Sequence, residues 1–192
     1  MSTPQALIAG LWGVFAVSWL VLARFTKRRR RVSPLGFWGL RLLLILGALA
    51  LAQLPREAPR FARFLGYAPG TLSGPLEQWT GVGLCVAGFG CAYWARAHLG
   101  RNWGTPMSLR EGHELVTAGP YRRVRHPIYT GILLAILGTG LAFGGPWIGM
   151  WLIALGFFVL AARSEERTLL AQFPSHYPEY RRRTWMLLPF VL

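Results

Sequence analysis

Histidine, glutamate, tyrosine and arginine crowd into two short polar stretches of this chain. The first, residues 98–127, runs into Tyr121-Arg122-Arg123-Val124-Arg125-His126-Pro127-Ile128-Tyr129. The second, residues 163–192, opens on Arg163-Ser164-Glu165-Glu166. Together they hold all four histidines and five of the seven acids. Tyr121 and Tyr129 can stack on a planar ring. Pro127 stands where a first-turn proline is tolerated, since its missing N–H would be unpaired anyway. The helix it opens offers free N–H groups and a positive dipole end to a carboxylate or a hydroxyl. Glu165 and Glu166 are neighbours and point about 100° apart on a helix. One is expected to face a ligand and the other to pair with Arg163 or Arg167.

Other chemistries are poorly served. The sequence has no aspartate, so the usual Mg²⁺ and phosphoryl-transfer sites lack their main ligand. There is no P-loop, no H-E-x-x-H and no G-x-S-x-G, and no metal site is expected. Gly81-Val82-Gly83 and Gly88-Phe89-Gly90 do not complete a dinucleotide fingerprint; they lie in an apolar block, where glycine lets helices approach closely. Cys85 and Cys91 are about 9 Å apart along a helix axis, too far to bridge, and read as packing residues.

The elements that position these residues belong to a membrane. Of 192 residues, 53% are hydrophobic and only 15% charged, with a net charge of +14. Five apolar blocks read as spanning helices: Ala6–Leu22, Leu35–Leu54 (carrying Arg41), Trp79–Ala97, Ile128–Phe143 and Trp147–Ala162. The first is a retained helix, without the features of a signal peptide. Gly144-Gly145-Pro146 breaks the last two, which are short and read as a tight hairpin. With the N-terminus outside, seventeen of the 21 basic residues fall on the inner face, including the run Lys27–Arg31. That run reads as topology signal and anionic-lipid contact rather than a nucleic-acid site. The expected fold is all-α: one polytopic membrane domain over 1–192, with a two-helix region at 1–78 and a core at 79–192. A site for polar chemistry is expected on the inner face, built from the 98–127 loop and the C-terminal tail. Close helix contact is also permitted at Gly140-x-x-x-Gly144 and Gly145-x-x-x-Gly149.

Arg125-His126-Pro127-x-Tyr129-x-Gly131, an apolar span, and then Glu165-Glu166 resembles the signature of the isoprenylcysteine carboxyl methyltransferase family. These are integral-membrane enzymes that use S-adenosylmethionine. The flanks agree. His113-x-Leu115-Val116-x-x-Gly119-x-Tyr121 resembles the segment before the motif, and Phe173, Tyr177, Tyr180 and Leu188-Pro189 resemble the family's tail. The similar region runs from about Leu99 to Pro189. The resemblance implies cofactor contacts at His113, Leu115, Val116, Tyr121, His126, Pro127, Ile128, Tyr129 and Glu165. S-adenosylhomocysteine would be the product. It implies methyl transfer to a lipophilic acceptor, such as an isoprenylcysteine carboxylate or another small lipid, in a bacterial inner membrane or endoplasmic reticulum with the C-terminus cytosolic. In the eukaryotic prenylcysteine enzymes an arginine binds the substrate carboxylate, and its position here is Ala161. Arg163, two residues on, is then the arginine expected to steer an anionic acceptor, with Arg181 to Arg183 as further candidates; Arg163 and Glu165 are the expected catalytic pair. The rival is an NADPH-dependent membrane reductase of the sterol type, whose related motif is R-H-P-N-Y-x-G; Ile128 occupies the asparagine position. A non-catalytic scaffold that binds anionic lipid is a third reading.

Overall fold

The structure is a computed structural model that describes residues 1–25, 29–31, 74–100, 103, 109–110, 115–144 and 146–188. The expected second span with Arg41, and the residues His113 and Pro189, lie outside the described residues. Five α-helices carry the described fold: α1 (Thr3–Ala23), α2 (Pro75–Leu99), α3 (Pro127–Phe143), α4 (Pro146–Gln172) and α5 (Tyr177–Arg182). A 3₁₀ turn covers Gly119–Arg122, and two short strands, β1 (Arg29–Arg31) and β2 (Leu109–Arg110), pair antiparallel. The chain is thus mostly helical. Among the described residues, α1 is the one helix both long and apolar enough to cross a membrane; α3 is apolar but has 17 residues.

The helix ends follow local chemistry. Prolines open α2, α3 and α4, as expected where a missing N–H is harmless. Glycines at positive φ close two of them, Gly100 (51°) after α2 and Gly144 (78°) after α3. The last helix departs from expectation. Helix α4 runs ten residues past the apolar block, to Gln172, so Glu165 and Glu166 lie within it rather than after it. The stretch 163–172 contains no glycine or proline, so nothing stops the helix where its apolar face ends.

Helices α2 and α3 are antiparallel and pack backbone to backbone. Gly81 and Gly88 on α2 face Gly138 and Gly131 on α3, the glycines of each helix being seven positions apart. A Cβ on Gly88 would collide with the Gly131 carbonyl and stand 2.7 Å from the Ala135 nitrogen. A Cβ on Gly138 would stand 2.5 Å from the Gly81 carbonyl oxygen. Gly83 and Gly90 have nothing within 4 Å, so the close contact uses Gly81 and Gly88 with Gly138 and Gly131. Helix α1 lies across this pair through an aromatic cluster. Phe15 stacks on Phe89 (centroids 4.7 Å) and on Trp19 (4.7 Å), and Trp12 donates its indole N–H to Thr139 Oγ1 at 3.0 Å. Cys85 and Cys91 are free thiols, and Cys85 packs fully buried against the Ala135 carbonyl.

Beyond α4 the chain folds back over the start of α3. Arg125 N–H donates to Trp185 O (2.8 Å), Trp185 N–H to Arg123 O (2.9 Å) and His126 N–H to Met186 O (3.1 Å). Thr130 Oγ1 donates to Leu187 O at 2.5 Å. The two polar stretches are therefore stitched together over one end of the helix pair.

Glycine packing can be tested directly. Gly→Ala inside a helix normally stabilises by about 0.5–1 kcal/mol. Gly90→Ala, facing open space, should follow that rule, while Gly88→Ala should lose about 1–3 kcal/mol from overpacking. Thermal unfolding in detergent reads both; equal effects would contradict the close α2–α3 contact.

Candidate active site

The site grows from the junction at His126, the residue that caps α3. His126 is 7% exposed, and its N–H is already taken by the tail. Its ring stacks flat on Tyr129 (5.3 Å, 4°), and Tyr129 in turn packs on Phe158 of α4 (4.8 Å). Tyr129 Oη donates to Glu165 Oε2 at 3.0 Å. His126 Nδ1 stands 3.8 Å from the same Glu165 oxygen, and His126 Nε2 stands 3.5 Å from Glu166 Oε1. Nε2 is buried and has no hydrogen-bond partner.

Both glutamates therefore approach one imidazole, contrary to the expectation that only one would face the site. An imidazole presents a nitrogen on each of two edges. Two side chains 100° apart on α4 can reach it from both. The pairing partners also differ from those expected. Glu166 binds Arg125, not Arg163 or Arg167: Arg125 Nε to Glu166 Oε1 is 2.7 Å, and both side chains are nearly buried (9% and 8% exposed). Arg181 Nε is 3.6 Å from the other Glu166 oxygen. Arg125 also donates to the carbonyls of Arg181 (3.2 Å) and Thr184.

The two carboxylates have different surroundings. Burial works against the charge on Glu166, but the facing His126 imidazole, the Arg125 hydrogen bond and the Arg125 charge outweigh it and hold the carboxyl at about 2. The Glu165 side chain is 38% exposed, so its carboxylate keeps a face open to a ligand. Tyr121 is buried, and that burial, with the nearby Glu165 charge, pushes its phenol well up, so it stays a neutral donor. Its carbonyl accepts a hydrogen bond from Tyr180 Oη at 2.8 Å.

Tyr180 also lines a cavity of about 680 Å³ between the two polar stretches. Leu115, Thr117 and Arg122 line one side, and Phe173, His176, Arg183 and Thr184 the other. Of the residues expected to bind a cofactor, the structure gathers Tyr121, His126, Pro127, Ile128, Tyr129 and Glu165 around the α3–α4 junction, with Leu115 at the cavity. All of these except Leu115 and Glu165 are buried. Val116 is partly buried and packs against the same core. Arg163 is exposed on α4 and is not among the partners of His126 or Glu165, while Ala161 is fully buried in the core. Sequence reasoning missed the roles of Arg125, Glu166 and Thr184 as the lock on the tail. The adjacency of Arg125 to His126, and of Glu166 to Glu165, was the available signal.

The described helices converge on a polar, aromatic and acidic junction. The family model for phospholipid methyltransferases matches residues 76–175, just over half of the sequence, and the chain belongs to that family. Its relatives include protein-S-isoprenylcysteine O-methyltransferase B of Arabidopsis thaliana, 34% identical over 96 residues (48% of this chain, 49% of that protein). Methanethiol S-methyltransferase of Mycobacterium tuberculosis is 40% identical over 70 residues (36% and 28%). The cobalt-zinc-cadmium resistance protein CzcN of Cupriavidus metallidurans is 39% identical over 97 residues (48% and 44%). The chain thus matches about half, or less, of the length of these relatives. The methyltransferase names disfavour the reductase reading, and membership of the family implies a methyl donor.

Glu166 ionises more readily in the folded chain than in the unfolded one. Its contribution is therefore complete above the ordinary carboxyl value of 4.5 and fades as pH falls towards about 2. Glu166→Gln should cost about 3 kcal/mol at pH 7. The gap to the parent protein should close between pH 4.5 and 2 in thermal unfolding. A gap unchanged at pH 2 would contradict the ion pair.

Proposed function

We propose that this chain is an S-adenosylmethionine-dependent methyltransferase of the membrane–cytosol interface, acting on a lipophilic acceptor. The observation that carries this is the half-open Glu165 carboxylate, held by Tyr129 Oη beside buried His126. The residues fit the cofactor. Glu165 would hold the amino group, beside the Nδ1 edge of the His126 imidazole that faces its half-open carboxylate. The aromatic wall of Tyr129 and Phe158 suits a flat or cationic group, and Leu115, Val116 and Tyr121 would line the ring slot. His113 is assigned to the same set by its place in the motif. When bound, the cofactor supplies an electrophilic methyl group on a sulfonium.

The chain's own residues then do three things. Glu165, fixed by Tyr129, orients the donor, and orientation alone is worth several kcal/mol of barrier. The buried wall of Ile128, Tyr129 and Leu133 excludes water from the reacting pair. Arg163, exposed at the end of the apolar stretch of α4, steers an anionic head group towards the site from the interface. An acceptor that is already anionic needs no base. Carboxyl O-methylation is the form of the reaction favoured by the isoprenylcysteine relatives. The five-span topology, with the N-terminus outside and the C-terminus cytosolic, belongs to the same proposal. It rests on the excess of arginine in the expected inner segments.

Two substitutions separate these roles. Glu165→Gln should weaken S-adenosylhomocysteine binding tenfold or more, since a charged hydrogen bond is worth roughly 1.5–3 kcal/mol. Unchanged affinity in calorimetry would remove Glu165 from the cofactor site. Arg163→Ala should raise KM for an anionic acceptor and leave S-adenosylhomocysteine affinity intact. Lost affinity would instead move Arg163 into the cofactor site.

A further inference from the structure

Arg96 is a buried cation that the catalytic proposal leaves unused. It stands in the last turn of α2, at the end of an apolar block, where an arginine ordinarily extends its head group to water. Here the side chain turns inward, and the residue is 6% exposed. Burying a guanidinium is costly unless its donors are met. Arg96 Nη2 donates to the Leu22 carbonyl, in the last turn of α1, at 3.0 Å, and Nη1 donates to the Gly100 carbonyl just beyond α2. The guanidinium lies 4.9 Å from the centroid of the Trp103 ring, and Trp103 meets Trp19 of α1 edge to face at 5.7 Å. A planar fork that binds two carbonyls and stacks on an indole is arginine chemistry, which lysine does not reproduce.

The same turn of α2 reaches the candidate site. Trp103 is buried in the core cluster that holds Tyr121 and Tyr129. The end of α2 packs on the 3₁₀ turn Gly119–Arg122, which carries Tyr121. His98, two residues after Arg96, has its Nδ1 2.9 Å from the Trp94 carbonyl, and its imidazole fills the space beside Gly119, where a Cβ would collide with the ring. Gly119 has a φ of 60°, which favours glycine. Burial pushes the Tyr121 phenol up and the Arg96 charge opposes that rise, so the two side chains lie within electrostatic reach. Helix α1, by contrast, lies outside the matched residues 76–175.

We propose that Arg96 is a positioning residue that couples α1 to the cofactor site: it ties the end of α1 and Trp103 to the last turn of α2, and that turn sets the place of Tyr121. Its effect on cofactor affinity rests on the methyltransferase reading. Helix α1 thereby becomes part of the scaffold of the site, although it stands outside the family's matched region.

The test uses Arg96→Gln, which removes both the fork and the charge, in the full chain in lipid nanodiscs. Without ligand, hydrogen exchange should quicken at least fivefold at residues 21–25 and again at residues 119–124. S-adenosylhomocysteine affinity should fall about tenfold at a temperature where the variant is fully folded. Faster exchange at residues 21–25 alone, with affinity unchanged, would confine Arg96 to holding α1 and overturn the coupling. A double variant gives a readout that general destabilisation does not move. With Tyr121→Leu in place, Arg96→Gln should cost less than threefold in further affinity, because both changes act through one ring. Fully additive losses would overturn Tyr121 as the route. If S-adenosylhomocysteine does not bind the parent chain, the methyltransferase reading fails on its own. Ligand-free exchange then still decides the brace, and equal exchange in parent and variant at both segments would overturn it.

Discussion

The Arg125–Glu166 ion pair is the constraint on which the site depends. Its two members are 41 residues apart in the chain, one before α3 and one within α4. Taking both charges out of water costs several kcal/mol for each ion, and attraction alone seldom recovers it. Here the arginine offsets that cost by also binding the carbonyls of Arg181 and Thr184 in the tail. One guanidinium thereby fixes three segments. With Arg125 held, the next residue, His126, is set at the cap of α3, and the tail has little freedom to leave.

The remaining architecture sets the height and angle of that junction. Gly88 and Gly131 let α2 and α3 touch through their backbones, so α3 starts at a defined level against its neighbour. Helix α4 then brings Glu165 and Glu166 past the apolar layer by continuing for ten residues beyond it. Glu166 is spent on the lock. Glu165 remains half open, anchored by Tyr129, and is the carboxylate free to meet a ligand. Two adjacent acids with the same chemistry are given different tasks by burial and by partners.

Much of this was legible in the residues. Pro127 and Gly144 marked the ends of α3, and apolar blocks marked α1, α2, α3 and the start of α4 within a few residues. The motif Arg125-His126-Pro127-x-Tyr129 with Glu165-Glu166 identified the family that the comparisons support. What was not legible depended on three-dimensional choice. Apolar length predicted a short α4, because hydropathy reports where a membrane ends and not where a helix does. Glu166 was assigned to neighbours on its own helix, since helical spacing cannot reveal Arg125 arriving from another segment. The glycines that touch could not be told from those that do not: Gly88 and Gly90 differ only in which way they face. The count of five spans rests on an apolar block at Leu35–Leu54 that lies outside the described residues.

The central claim is that the junction around His126, Tyr129 and Glu165 binds a methyl donor. The most direct measurement is calorimetric titration of the purified full chain in lipid nanodiscs with S-adenosylhomocysteine and with NADPH, side by side. The account predicts saturable one-to-one binding of S-adenosylhomocysteine and no heat from NADPH. Binding of NADPH alone, or of neither ligand in any lipid, would contradict it.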